Sequence, residues 1–147
     1  MKIFIGSDHA GVELKSAIIK HLAKADMLAE DLGPFTANSV DYPDYAHTVC
    51  LEVLEGPKNS FGILICGSGN GINMSANKHQ EIRSALCWEP EIASLARQHN
   101  DANIIALPAR FISEKKALKI IDAFLDAEFE GGRHQNRVDK IAIEFED

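Results

Sequence analysis

Phe61-Gly-Ile-Leu-Ile-Cys66-Gly-Ser-Gly-Asn-Gly71 reads as a strand that ends on a thiol and turns at once into a loop with glycine at every second position. Its run Ile63-Leu64-Ile65 is apolar without alternation, which suits a strand covered on both faces in a parallel sheet. Loops leaving the carboxyl ends of such strands hold the ligands of open α/β sheets. Gly67, Gly69 and Gly71 put no side chain between the main-chain amides and an anion, and a helix starting after the loop adds the positive end of its dipole. The same dipole favours the thiolate of Cys66, the form that acts as base or nucleophile.

Working outward, apolar runs alternate with amphipathic stretches over the whole chain. Ile3-Phe4-Ile5 is followed by Leu14, Ala17, Ile18, Leu22 and Ala25 at helical spacing. Residues 27–32 form a weaker, more polar strand suited to a sheet edge, ended by Gly33-Pro34. Tyr45, Val49 and Val53 mark a second helix that closes at Gly56-Pro57. After the glycine loop come a helix over 72–78, a strand over 84–88, a helix opened by Pro90 and a strand over 103–107. Ala117, Leu118, Ile121, Phe124 and Leu125 give the clearest helical stripe. This alternation predicts a three-layer Rossmann-like α/β fold, a five-stranded parallel sheet with helices on both faces. At 147 residues and 46% hydrophobic, the chain suffices for a single domain over 1–147. Residues 130–147 remain once the sheet is wound. With the Gly131-Gly132 hinge and the stripe Val138, Ile141, Ala142 and Phe145, they are expected to form a C-terminal helical arm docking on a second subunit.

A net charge of -7 argues against nucleic acid or a membrane surface as partner, because either needs a basic field. A small soluble ligand fits better. The apolar N-terminus is too short for a signal peptide, and no stretch approaches the ~18 apolar residues of a membrane span, so a cytoplasmic chain is expected. Cys50, Cys66 and Cys87 are odd in number and show no CxxC spacing, which predicts reduced thiols without a disulfide framework or zinc site.

Arg110, Arg133 and Arg137 follow strand or glycine punctuation, and the last two lie four apart, on one face of a helix. They suit a phosphate, since the planar guanidinium bonds two of its oxygens at once; a solvated basic face is the alternative. Asp8-His9 follows the first strand and His99-Asn100 precedes the fifth; either histidine fits catalysis or a structural hydrogen bond. Asp41, Asp44 and His47 have helix-like separations, but Pro43 interrupts that turn, and no metal requirement is expected. His21, Lys20 and Lys24 fit a solvated helix face, while His47 and His79 show no partner. Cys50 and Cys87 read as small buried hydrophobes, and Trp88 and Phe111 as packing residues. A dinucleotide turn competes weakly: the loop is GxGxG rather than GxGxxG and follows the third strand, although Glu89 lies where a ribose-binding acid is placed.

Taken together, Ser7-Asp8-His9-Ala10-Gly11, Asp41-Tyr42-Pro43, Cys66-Gly-Ser-Gly-Asn-Gly71, Ala76-Asn77-Lys78, Arg97-Gln-His-Asn-Asp101 and Glu130-Gly-Gly-Arg-His-Gln-Asn-Arg137 resemble the ribose-5-phosphate isomerase B family of sugar-phosphate isomerases. The resemblance runs almost the length of the chain. It implies interconversion of ribose 5-phosphate and ribulose 5-phosphate without metal or cofactor, with Cys66 as the base that moves a carbon-bound proton. Amides from Gly67 through Gly69 and Asn70 to Gly71 would then stabilise the enediolate, and Ser68 would assist transfer between the two oxygens. By the same resemblance His99 opens the sugar ring, Asp8 orients that proton path, and Asn100 bonds a sugar hydroxyl. His9, Arg110, Arg133 and Arg137 match the phosphate-binding set, and Tyr42 a lining position. One branch of the family uses a glutamate just beyond the glycine loop. Here Ile72 stands there, which puts this chain with the cysteine branch. The family's dimers or larger assemblies share sites across the subunit interface. Two alternatives stand beside this reading: an isomerase of a six-carbon sugar 6-phosphate such as allose or galactose 6-phosphate, and a non-catalytic nucleotide or sugar-phosphate binding module with no need of Cys66 or His99.

Overall fold

The computed structural model describes residues 1–145, and over these the strands and helices alternate as the apolar pattern requires. In chain order they are β1 (Lys2–Ser7), α1 (Val12–Lys24), β2 (Ala29–Asp31), α2 (Tyr42–Glu55), β3 (Ser60–Cys66), α3 (Asn70–Ala76), β4 (Ser84–Leu86), α4 (Pro90–Asn100), β5 (Ile104–Pro108), α5 (Glu114–Asp126) and α6 (Arg133–Asp139). The five strands form one parallel sheet in the order β2-β1-β3-β5-β4. β2 lies at an edge, as its polar sequence predicts. Strand order reverses at β1, whose pairing with β3 sets Ser7 opposite Ile65, while β3 and β5 set Cys66 opposite Pro108.

Period-two alternation divides the strand side chains between two cores. Ile3, Ile5, Ile63, Ile65, Ile105 and Leu107 pack against α1, α4 and α5. Phe4, Leu64, Cys66, Ile104 and Ala106 pack against α2 and α3 on the other face. The sheet is therefore covered on both sides, which is why the middles of its central strands are apolar and the buried polar residues Ser7 and Ser60 stand at strand ends. Lys15 is the most enclosed of the buried charged residues: its Nζ donates to Asp31 Oδ1 at 2.7 Å and to the Pro34 carbonyl at 2.6 Å, fastening α1 to the end of β2.

Three local expectations differ from the structure. The C-terminal helix stops at Asp139 after seven residues. Beyond it Ile141, Ile143 and Phe145 recur at period two rather than 3.6, and all three are exposed. Residues 146–147 lie outside the described part of the arm. Trp88 and Phe111 do not pack within the chain; they are 50% and 75% exposed at the carboxyl edge of the sheet. His21 does not simply face water, since its Nε2 lies 2.8 Å from Asp122 Oδ1 and ties α1 to α5.

Candidate active site

The carboxyl ends of β1, β3 and β5 bring most of the candidate residues together. Cys66 closes β3 with its side chain in the α2/α3 layer, only 4% exposed, and its carbonyl accepts from the Ala109 amide at 2.9 Å. On the adjacent strand, Asp8 N donates to the Ile65 carbonyl, and Asp8 Oδ1 accepts from Ala10 N at 2.9 Å, capping the single 3-10 turn 9–11. Asp8 is thus held beside the thiol's strand by backbone pairing alone. His9 Nδ1 accepts from the Val40 amide at 3.3 Å, which leaves Nε2 as the protonated nitrogen of the neutral ring and hence a donor.

The glycines of the loop answer to close approaches as much as to any ligand. A Cβ on Gly67 would come within 3.0 Å of the Arg110 guanidinium, so Arg110 lies directly over the loop; its own amide donates to the Gly67 carbonyl at 3.0 Å. Gly71 has the Tyr42 ring where a side chain would be, at 2.4 Å. Gly69 adopts φ +76, and a Cβ there would meet Leu86 at 2.4 Å. Among the described residues, the amides of Gly67, Ser68 and Gly69 have no backbone acceptor, while Asn70 N donates to Ser68 Oγ at 3.3 Å. Three main-chain donors without backbone partners thus follow directly on the thiol, a composition that can receive developing negative charge on oxygen. The helix behind them is only seven residues long, so these local donors rather than a long dipole carry the effect.

His99, Asn100, Arg133 and Arg137 are not part of this group. α4 leaves the carboxyl edge at Pro90 and runs back about 15 Å along the sheet, so its last turn ends beside the start of β5. α5 returns the chain to the same end, where Glu130 N donates to the Gln98 carbonyl and α6 packs on α4. The Cys66 and His99 ends of the sheet are separated by the run of β5 from Ile104 to Pro108, about 13 Å, and lie on opposite faces of it. Here the rings of His99 and His134 stack with centroids 4.2 Å apart and planes at 11°. Glu130 Oε1 lies 3.6 Å from His99 Nε2 and 3.7 Å from His134 Nε2. Loss of water pushes the His134 imidazole below its ordinary value, helped by the charges of His99, Arg133 and Arg137 and opposed by Glu130. Arg133 and Arg137, four apart, open and close the exposed side of α6.

Of the remaining sequence candidates, most have structural duties. Burial pushes the Cys50 and Cys87 thiols up to about 12, which leaves them protonated and inert. His47 and His79 are each other's partner at 2.8 Å, so His47 is not free to join Asp41 and Asp44 on a metal. Glu89, the acid a dinucleotide site would need, pairs with Lys116 of α5. The motif Glu130-Gly-Gly-Arg-His-Gln-Asn-Arg137 does not by itself mark Glu130 or His134. Their signal was the i,i+4 spacing across Gly131-Gly132, and their contact with His99 depends on α5 bringing distant segments together.

A parallel sheet with a glycine loop and a thiol at its strand-order reversal defines an α/β domain of the kind that binds ligands at the carboxyl ends of its strands. The family model for Ribose/Galactose Isomerase matches residues 3–141, and the chain belongs to that family. It is 46% identical over 144 residues to the ribose-5-phosphate isomerase B of Escherichia coli, covering 97% of this chain and 96% of that protein. The probable ribose-5-phosphate isomerase B of Mycoplasma pneumoniae is 50% identical over 140 residues, 95% of this chain and 91% of its relative. Among solved structures, the Thermotoga maritima ribose 5-phosphate isomerase superimposes with a TM-score of 0.92 at 46% identity, covering 96% and 97% of the two chains. The Mycoplasma genitalium ribose-5-phosphate isomerase B, solved with bound ribulose-5-phosphate, gives 0.91 at 46% identity, covering 95% and 93%. No helix of the described residues is long and apolar enough to cross a membrane.

Proposed function

We propose that this chain interconverts ribose 5-phosphate and ribulose 5-phosphate through an enediolate, with Cys66 as the carbon base. In the open-chain aldose the Cys66 thiolate takes the proton from C2, and the C1 carbonyl oxygen becomes the enediolate oxygen. The amides of Gly67, Ser68 and Gly69 meet that charge, which is stronger in the transition state than in the bound substrate and so lowers the barrier. Return of the proton to C1, with transfer of the O2 proton to O1 assisted by Ser68, gives the ketose. Tyr42, over Gly71, lines the sugar, and His9 Nε2 with Arg110 supplies donors for the phosphate.

The aldose is mostly a closed ring, and opening it needs acid and base chemistry at O4 and O1. His99 is assigned that step, with Asp8 orienting the proton path, Asn100 on a sugar hydroxyl, and Arg133 and Arg137 on the phosphate. The span of about 13 Å between the two ends of β5 exceeds any side-chain reach to one small sugar, so the proposal requires two copies of the chain, the arm over 130–147 of one serving the Cys66 edge of the other. The exposed Trp88 and Phe111 at that edge suit an interface. A single isomerase domain over 1–147 and a cytoplasmic location complete the proposal. The three unpaired thiols accord with a reducing compartment.

The observation that carries this reading is the buried Cys66 thiol beside three unpaired loop amides, in a chain of the Ribose/Galactose Isomerase family. The test measures ribulose 5-phosphate formation and deuterium incorporation from solvent for the wild type and Cys66→Ala. Loss of both is expected; retention of deuterium exchange in the variant removes Cys66 as the base. Comparing kcat/KM for five- and six-carbon substrates in the same assay fixes the sugar length.

A further inference from the structure

Glu130 has no assigned part in the reaction, yet its carboxylate faces both imidazoles at the far end of the sheet. Oε1 stands almost equidistant from the two Nε2 atoms, at 3.6 and 3.7 Å. The rings lie nearly parallel, 11° apart with centroids at 4.2 Å. Donor atoms of the three side chains fall within 4.8 Å of one another, a composition that also occurs in metal sites. Parallel rings, however, do not share an in-plane ion, since an ion in the plane of one imidazole lies out of the plane of the other. A carboxylate beside stacked rings instead compensates one positive charge that either ring can carry.

We propose that Glu130 is a positioning residue for ring opening, holding the stacked His99–His134 pair with one ring protonated and the other neutral, so that an acid and a base meet the sugar side by side. Opening a furanose requires two transfers at oxygens bonded to the same carbon. A proton is given to the ring oxygen O4 as the C1–O4 bond breaks, and a proton is taken from the C1 hydroxyl as the carbonyl forms. One imidazolium and one neutral imidazole supply both, and the pair ends the step with its single proton exchanged between rings. On His134, the charges of Arg133 and Arg137 on α6 oppose a positive ring while that of Glu130 supports one, so the carboxylate acts against the two guanidinium groups. The Glu130 amide, bonded to the Gln98 carbonyl at 3.0 Å, anchors the backbone of this residue to the last turn of α4, the turn that carries His99.

The inference rests on His99 acting in ring opening, and the experiment separates the two. Ribulose 5-phosphate has no ring to open, so hydrogen exchange at its C1 in deuterium oxide reports the thiol half of the reaction alone. The assembled wild type, His99→Ala, Glu130→Gln and Glu130→Asp are compared for net conversion of ribose 5-phosphate and for that exchange. Glu130→Gln is expected to lower net conversion by roughly 10-fold or more while leaving exchange within about two-fold, with Glu130→Asp in between. Unchanged net conversion in Glu130→Gln alongside a deficient His99→Ala overturns the role of Glu130 alone. Equal loss of conversion and exchange in Glu130→Gln also overturns it, because the effect is then general damage. Unimpaired conversion in His99→Ala overturns the ring-opening assignment and the inference with it.

Discussion

Mixing Cys66→Ala chains with His99→Ala chains tests whether one site is built from two copies. Cys66 ends β3 at one edge of the sheet and His99 ends α4 at the other, on opposite faces. The intervening run of β5, about 13 Å, is several times a hydrogen-bond length. A two-fold dimer of either variant has two sites that each lack one group, and each should run at least ~100-fold below wild type. A mixed dimer is different: one site lacks both groups, while the other joins the intact Cys66 of one chain to the intact His99 of its partner. Random exchange makes half of the dimers mixed, each with one working site of two, so the mixture should recover about one quarter of wild-type activity. Conversion of ribose 5-phosphate is followed after co-refolding, and mass spectrometry of cross-linked dimers verifies the mixed species. If mixed dimers are present and activity stays at the mean of the two parents, both residues serve one and the same chain's site and the two-copy reasoning is wrong.

Cys66→Ala should reduce turnover at least ~100-fold while binding of ribose 5-phosphate, measured by calorimetry, changes little, because the thiol acts on the transition state and not on the phosphate. Gly69→Ala should collapse the loop, since φ +76 and a Cβ 2.4 Å from Leu86 both oppose any side chain; a fully active, equally stable variant would contradict the loop geometry. Burial raises Cys50 and Cys87 from 9.0 to about 12, so the folded state keeps protons that the unfolded chain releases above about pH 9. Their contribution is complete below that pH and is lost as the pH climbs toward 12. Urea unfolding at pH 8 and pH 10 should show the decline, and a Cys50→Ala/Cys87→Ala protein should show a shallower one. Lys15→Ala leaves Asp31 and the Pro34 carbonyl without their buried partner and should cost about 3 kcal/mol, read as a lowered Tm, whereas Lys15→Met retains the volume and should cost less; no change in Lys15→Ala would show that the pair contributes nothing.

Fold and thiol were legible because they depend on local pattern. Ile63-Leu64-Ile65 reads as a doubly covered strand, and the glycine spacing after Cys66 as a turn at its carboxyl end. Pairings of remote segments were not legible. His47 and His79 found each other across 32 positions because α2 and α3 share a face of the sheet. Lys15, on the buried face of α1, took its partner from the end of β2.

The sequence alone determined an alternating parallel α/β chain, its central strands and the amide loop beside Cys66, since strand period, helix period and glycine placement act over a few neighbours. Only the tertiary structure decided that His99 meets Glu130 and His134 at the other end of the sheet. That follows from α4 and α5 each running back along the strands. Parallel topology sets the direction of those returns, but the contact of α4 with α6 that brings these side chains together is a packing of remote segments, which no local motif encodes.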